Sequence, residues 1–387
     1  MPTPTDPPKG GLAWAGLGMP GLGHLLTGQV MDGIGHLSLT SLVIWAGAAG
    51  LPRLGTLLHG PSSAEFQLHP WVALLGWGAA TAALWYRAYR YAAPRVISAE
   101  EARSWTAVVI RQFRKNPSGV LGLYLVLFLI ALAVFTPLIA PFDPDMLDTG
   151  NKLEGPTLAH LMGTDDFRRD LFSRVLYGAR VSLSIGFVAV SITASIGTLI
   201  GATTGYFGGW FDRIAMWFTD LLLSLPRLVL LLAVVGFFRA SGAQSLFLIV
   251  VLLGLTGWMG VARIVRAQVL SLREQDFIQA TRALGLPAWR IIVRHLVPNA
   301  MAPVIVYATL AIGGTMLMEA SLSFLGLGVP PPTATWGSLV NDGKEYLRSA
   351  WWYTMFPGLM IVFAVMSFNL LGDGLRDALD PKLRGRD

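Results

Sequence analysis

E-Q-D-F-I-Q-A-T-R-A-L-G-L-P-A-W-R-I-I-V-R-H-L-V-P, residues Glu274 to Pro298, is a charged island in a very apolar chain. Uncharged runs flank it, Ala240 to Ala262 before and Asn299 to Met318 after. Phe277, Ala280, Thr281 and Leu284 recur at i, i+3, i+4, i+7, and so do Trp289, Ile292, Val293 and Leu296, the spacing of an amphipathic helix. Between the two sets lie Gly285, suited to a left-handed helix end, and Pro287, suited to a first helical turn. The spacing predicts two short helices joined by a tight elbow. Each would be roughly ten residues, about half of a bilayer crossing. Such helices lie on a membrane surface or dock onto something.

Working outward, the chain has 387 residues, 53% hydrophobic and 13% charged, with a mean hydropathy of +0.57. Soluble domains carry roughly 25% charged residues, so this is an all-α polytopic membrane protein. The net charge of +6 does not point to nucleic acid, because the basic residues cluster at the ends of apolar runs, where membrane topology places them. There is no cysteine, which excludes disulfides and thiolate chemistry. The start, M-P-T-P-T-D-P-P-K-G-G, does not read as a signal peptide.

Residues 1–95 form one unit. Its Gly-rich stretch from Gly11 to Val30 reads as interfacial or re-entrant, and two spans are expected at Gly33 to Pro52 and Phe66 to Tyr86. Residues 96–387 form a second unit with six expected spans: Ser118 to Phe142, Val181 to about Thr204, about Phe211 to Phe238, Ala240 to Ala262, Asn299 to about Leu322, and Ser349 to Gly372. The polar loop 143–177 separates the first two of these and holds seven acidic residues. Eight spans put both termini on one side. If that side is the cytoplasm, 19 of the 29 Lys and Arg lie inside and 9 outside, with Arg227 inside a span. The positive-inside rule favours this orientation. It makes the 274–298 stretch cytoplasmic and the acidic loop external.

Several stretches of the second unit carry a family resemblance. R-A-L-G-x-x-x-W-R-I-I-x-R-H-x-x-P-N, from Arg282 to Asn299, resembles the cytoplasmic loop of permease subunits of ABC importers, closest to the C-type subunit of dipeptide and oligopeptide importers. M-G-T-D-D-F-R-R-D-L-F-S-R-V-L-Y-G-A-R-V-S-L (Met162 to Leu183), G-L-G-V-P-P-P-T-A-T-W-G-S-L-V-N-D-G (Gly326 to Gly343), R-Q-F-R-K-N-P-S-G (Arg111 to Gly119) and the tail D-G-L-R-D-A-L-D-P-K-L-R (Asp373 to Arg384) are similar to the same subunit. The resemblance covers about residues 103–387. It implies the six-helix transmembrane domain of a type I ABC importer, to which residues 1–95 add two helices without a counterpart. It also implies partners: a second homologous permease subunit, two ATP-binding subunits, an extracytoplasmic substrate-binding protein and membrane lipid. The coupling residues it implies are Phe277, Gln279, Ala280, Thr281, Leu284, Gly285, Trp289, Arg290, Arg294 and Pro298. The family's Glu-Ala-Ala triplet here reads Gln279-Ala280-Thr281, which removes one charge-assisted contact.

The chain has no G-x-x-x-x-G-K-[ST] stretch, so an ATP-driven process would need ATP bound elsewhere. No metal-ligand spacing involves its six histidines, no cofactor is expected, and catalysis by this chain is not expected. Asp220, Arg227 and Glu319 fall within or at the edge of expected spans. Intramembrane charges of this kind line a translocation path or fix helix packing. The competing reading is a stand-alone secondary transporter or channel using Asp220 and Glu319. Gly197, Gly201 and Gly205, every fourth residue, are expected to let helices approach closely.

Overall fold

A computed structural model describes residues 105–238 and 243–380. The two spans and the interfacial segment expected within 1–95 lie outside the described residues. Regular structure among the described residues is helical, apart from one isolated bridge between Thr164 and Asp170.

The chain enters through α1 (Trp105–Lys115) and α2 (Pro117–Ile139). Asn116 caps α2: its side-chain oxygen accepts from the Gly119 amide, while its Nδ2 donates to Asp377 Oδ2 at 2.7 Å. Pro117 follows at the first helical position, where its missing N–H costs nothing. α3 (Leu171–Phe207) has 37 residues, about 55 Å at 1.5 Å per residue, so it projects well beyond a hydrocarbon core of about 30 Å. The sequence reading ended the acidic loop near residue 177. Instead α3 starts at Leu171 and runs through Arg174 and Arg180. The helix tolerates Arg174 at 2% exposure because Pro144 O accepts from it at 3.2 Å and the Asp145 and Asp165 carboxylates each lie 3.6 Å away.

After Gly208 and Gly209, both at positive φ, come α4 (Gly209–Ser224) and α5 (Arg227–Phe238), bent by 83°. One straight span was expected over 211–238. Pro226 breaks it: proline removes a ladder donor and drives the preceding residue out of the helical region, and Leu225 is extended at φ −84°, ψ 130°. The next span is also segmented, into α6 (Ala243–Leu255) and α7 (Trp258–Leu272). α8 (Asp276–Ala283), α9 (Ala288–Ile291) and α10 (Val297–Phe324) follow and contain the elbow. α11 (Trp336–Gly343) is a short helix at the far end of the bundle from the elbow, and α12 (Trp351–Leu379) crosses last. Among the described residues, five stretches are long and apolar enough to cross a membrane, six if the bent pair counts as one.

One core joins α2, α3, α10, α11 and α12 around Leu129, Leu171, Trp336, Tyr353 and Phe368. A second joins α3 and α7 to the elbow. Lipid tails are as apolar as leucine, so small residues and close packing hold such helices together. The every-fourth glycines of α3 do this against α7. A Cβ on Gly197 would lie 2.5 Å from Val261 Cβ, and one on Gly205 would lie 2.9 Å from Val269 Cβ. A Cβ on Gly201 would strike the Ala262 carbonyl and come within 2.8 Å of Val265 Cβ.

At the far end, the loop after α2 folds back onto the start of α3. The Asp165 side chain accepts from the Phe167 and Arg169 amides at 2.8 Å and from Arg169 Nε at 2.7 Å. His160 is buried. Its ring nitrogens face Asp170 Oδ1 at 2.9 Å and Thr149 O at 3.1 Å. Asp170 in turn caps α3 by accepting from the Ser173 amide. Nearby, burial pushes the Asp342 carboxyl above its usual range; Arg174 opposes the shift and Asp166 adds to it.

Gly201→Leu forces α3 and α7 apart, and overpacking of this kind costs about 1–3 kcal/mol or more; thermal unfolding in detergent should shift down sharply. Gly314→Ala, where a Cβ meets nothing within 4 Å, should leave the melting temperature unchanged. For Asp342, a raised folded pKa means that the ionised form opposes folding. That penalty is fully present above the folded pKa and vanishes as pH falls to the unfolded one. Asp342→Asn should therefore raise the melting temperature at neutral pH, and the gain should shrink on acidification.

Candidate functional site

The charged island folds as a helix, a turn and a second helix, but the second helix does not end where the spacing suggested. α8 (Asp276–Ala283) is eight residues long. It closes with the Leu286 amide donating to Thr281 O at 3.2 Å and the Gly285 amide to Arg282 O at 2.9 Å. These paired bonds form a Schellman motif, which needs a left-handed residue just past the cap. Gly285 supplies it at φ +74°, with open space where a Cβ would be. The requirement at this position is therefore one of backbone conformation, not of room. Pro287 then serves as the N-cap of α9 (Ala288–Ile291).

Two independent ten-residue helices were expected. Instead α9 runs through a π turn, Ile292–Leu296, directly into α10 (Val297–Phe324). The cause is Pro298. It cannot donate, and its ring crowds the carbonyl four residues back. The wider π turn relieves this, with the Val297 amide reaching back to Ile292 O. Asn299 Nδ2 donates to the His295 carbonyl at 2.6 Å. From Ala288 to Phe324 the helix is 37 residues long. Anything that moves the elbow moves a complete membrane-crossing helix.

The elbow has two apolar faces. Ile278, Ile291, Ile292 and Leu296 are buried against Ala202 of α3, Val261, Val265, Val269 and Leu272 of α7, and Ala300 and Val304 of α10. The opposite face holds Phe277 (42% exposed), Leu284 (78%), Trp289 (63%) and Val293 (60%). The spacing had grouped Ile292 and Leu296 with Trp289 and Val293; the structure separates them. Ile278 and Ile291, the innermost anchors, were missed. Trp289 and Val293 form one strip four residues apart, and Ile292 and Leu296 another. Spacing alone does not say which strip meets the core.

The polar residues divide likewise. Gln279 is exposed, and its Nε2 donates to Arg273 O at 3.2 Å. Ala280 is exposed, and the half-buried Thr281 donates to Ile278 O at 2.7 Å. Arg282 stacks over the Tyr206 ring at 4.8 Å, tying α8 to the end of α3. Arg290 and Arg294 are exposed, Arg290 lying 5.5 Å over Trp289. Pro298 is exposed at the start of α10.

The three charges expected in spans lie in three separate places. Asp220 on α4 pairs with Arg263 on α7, and Asp212 makes a second pair with Arg266 one helical turn along α7. Arg227 donates to Leu253 O at 2.8 Å and to Thr256 Oγ1 at 3.2 Å. It thereby caps the end of α6, where the break before α7 frees carbonyls, a position that favours a cation. Glu319 on α10 is 2% exposed. It accepts from Ser323 Oγ at 2.8 Å and Thr335 Oγ1 at 2.9 Å.

Comparison with known proteins agrees with this geometry. Residues 197–385 match the family described as binding-protein-dependent transport system inner membrane component, and residues 104–156 match the N-terminal membrane domain of oligopeptide transport permease C. The dipeptide transport system permease protein of Alkalihalophilus pseudofirmus is 41% identical over 275 residues, 71% of this chain and 89% of the relative. The oligopeptide transport system permease protein of Bacillus subtilis is 40% identical over 290 residues, 74% and 93% of the two chains. A glutathione transport system permease protein of Escherichia coli is 40% identical over 276 residues, 71% and 90%. A helical, multi-pass chain with this elbow and these relatives belongs to the family of inner-membrane permease components of binding-protein-dependent transport systems.

Proposed function

We propose that this chain is half of the translocation pore of an ATP-driven peptide importer, and that the 274–298 elbow is where the ATP-binding subunits dock. The observation that carries this reading is the two-faced elbow. One face is fixed to the core by four buried apolar residues, while the other presents Phe277, Leu284, Trp289 and Val293. Fully burying an exposed side chain of this size is worth about 1.5–3 kcal/mol, so the ridge can supply several kcal/mol to a partner with a matching groove. Gly285 sets the turn, and Arg290 and Arg294 rim the ridge with charge. Gln279, bonded to its own backbone, contributes less than an acidic residue would at that position.

The partners follow from the same reading. ATP is bound and hydrolysed by two separate subunits. A second, homologous permease completes the pore, and the exposed Trp210, Ile214, Trp217 and Leu221 of α4 suit a companion helix or lipid. The charge distribution supports cytoplasmic termini, a cytoplasmic elbow and an external far end, where a substrate-binding protein delivers cargo. Relatives whose names specify dipeptides, oligopeptides and glutathione support a peptide as that cargo. Nucleic acid, metal ions and cofactors have no place in the scheme. Transport proceeds by alternating access: ATP draws the two ATP-binding subunits together, and the permease elbows docked on them reorient the helices.

Trp289→Ala should weaken binding of the ATP-binding subunits by about 2 kcal/mol, roughly 30-fold, as expected of a central aromatic anchor. Titration of those subunits onto the purified permease pair would measure it. Gly285→Pro, whose φ is locked near −65°, should abolish uptake while the chain still inserts in the membrane. Unchanged uptake in this variant would remove the elbow from the mechanism.

A further inference from the structure

The helix that begins at the elbow ends on a buried carboxylate. Ala288–Phe324 is continuous, and Glu319 lies near its far end, some 31 residues or about 46 Å along at 1.5 Å per residue. Both of its recorded hydrogen bonds fall on one oxygen, Oε1, from Ser323 within α10 and from Thr335 across the loop. Thr335 is the N-cap of α11. Its Oγ1 accepts from the Ser338 amide at 3.0 Å, and its own amide donates to Ser338 Oγ at 2.9 Å. The next residue ties α11 to α3: the Trp336 amide donates to Ser182 Oγ at 3.1 Å and Trp336 Nε1 to Val175 O at 3.0 Å. Packing reinforces the first link, since a Cβ on Gly337 would lie 2.6 Å from Ala320 Cα. α11 contributes Ser338, Asn341 and Asp342 to a cavity of about 590 Å³, whose other walls include Asp166, Arg174 and Pro331.

We propose that Glu319 is a positioning residue that couples the elbow to this far-end cavity. Hydroxyls from both sides converge on one carboxylate oxygen, so a shift of α10 pulls the cap of α11. Trp336 holds the other side of α11 on α3, which makes α11 the element that must turn when α10 and α3 move relative to each other. The cavity wall then changes shape when the elbow is displaced. A buried ionisable residue inside a span is costly, and an apolar residue would carry less cost in a purely passive packing position. This assignment removes Glu319 from the direct path of cargo and gives it a transmission role. It rests on the elbow being the docking site.

The test uses the complete importer in liposomes. The chain has no cysteine, so Asn341→Cys and Phe167→Cys place spin labels across the cavity on an otherwise unreactive chain. Their separation is measured with and without a non-hydrolysable ATP analogue, alongside ATP turnover and uptake of tri-alanine. The native chain should show an ATP-dependent change in separation. Glu319→Ala should lose that change and lower uptake by about tenfold, as expected when a buried acceptor is removed and two hydroxyls lose their partner, with ATP turnover retained. Glu319→Gln, which keeps an oxygen acceptor for both hydroxyls, should restore both. If Glu319→Ala fails to assemble, Thr335→Val should uncouple in the same way and Thr335→Ser should not. A native separation change and native uptake in Glu319→Ala or Thr335→Val would overturn the proposal. If the unsubstituted importer showed no ATP-dependent change at the cavity, the coupling would be refuted while the docking role of the elbow stood. ATP-binding subunits that do not bind the elbow at all would refute the docking role itself.

Discussion

Every polar group that this chain carries into the bilayer must find its partner within the protein, because hydrocarbon offers none. That constraint explains the irregular places in the fold better than propensity does. Pro298 removes a donor, and the chain answers with a π turn in which the Val297 amide reaches Ile292 O. The break between α6 and α7 leaves carbonyls exposed, and Arg227 and Thr193 bond them, Thr193 reaching Gly254 O at 3.0 Å. Glu319 survives in a span because two hydroxyls meet it. At each such position a side chain fixes one helix to another or bridges a break, and each is a joint between segments that are otherwise rigid.

The same logic fits the proposed role of the elbow as a mechanical part. Ile278, Ile291, Ile292 and Leu296 hold it to α3, α7 and α10 at once. Gly285 turns the chain without strain, and the fused helix carries any displacement of the outer ridge across the bundle. The close contact of α3 with α7, through glycines spaced four apart, gives the lever a firm bed. Ion pairs between α4 and α7, Asp212 with Arg266 and Asp220 with Arg263, set the bent pair against that bed.

Much of this was legible from residue spacing, and the misses have specific causes. Most apolar runs of residues 105–380, the left-handed turn at Gly285 and the glycine repeat of α3 are local signals, and the structure bears them out. The fusion of α9 into α10 was hidden because charged residues at Arg290 and Arg294 read as a surface helix rather than the foot of a span. Arg174 and Arg180 likewise made the first turns of α3 look like loop; only the tertiary partners of Arg174 show why a helix can pass through it. Pro226 is a local break signal inside a long apolar run, and the length of that run made 211–238 read as one span. The choice between the buried strip of the elbow and its exposed one depends on what α3 and α7 present, which no local pattern contains.

The central claim is that the exposed ridge of the elbow is covered by an ATP-binding subunit. With no native cysteine, Leu284→Cys can be labelled by a water-soluble maleimide in the purified permease pair, and Leu347→Cys, exposed at the far end, serves as the reference. Addition of the ATP-binding subunits should slow labelling at position 284 strongly and leave position 347 unaffected. Equal labelling rates at position 284 with and without those subunits bound would contradict the account.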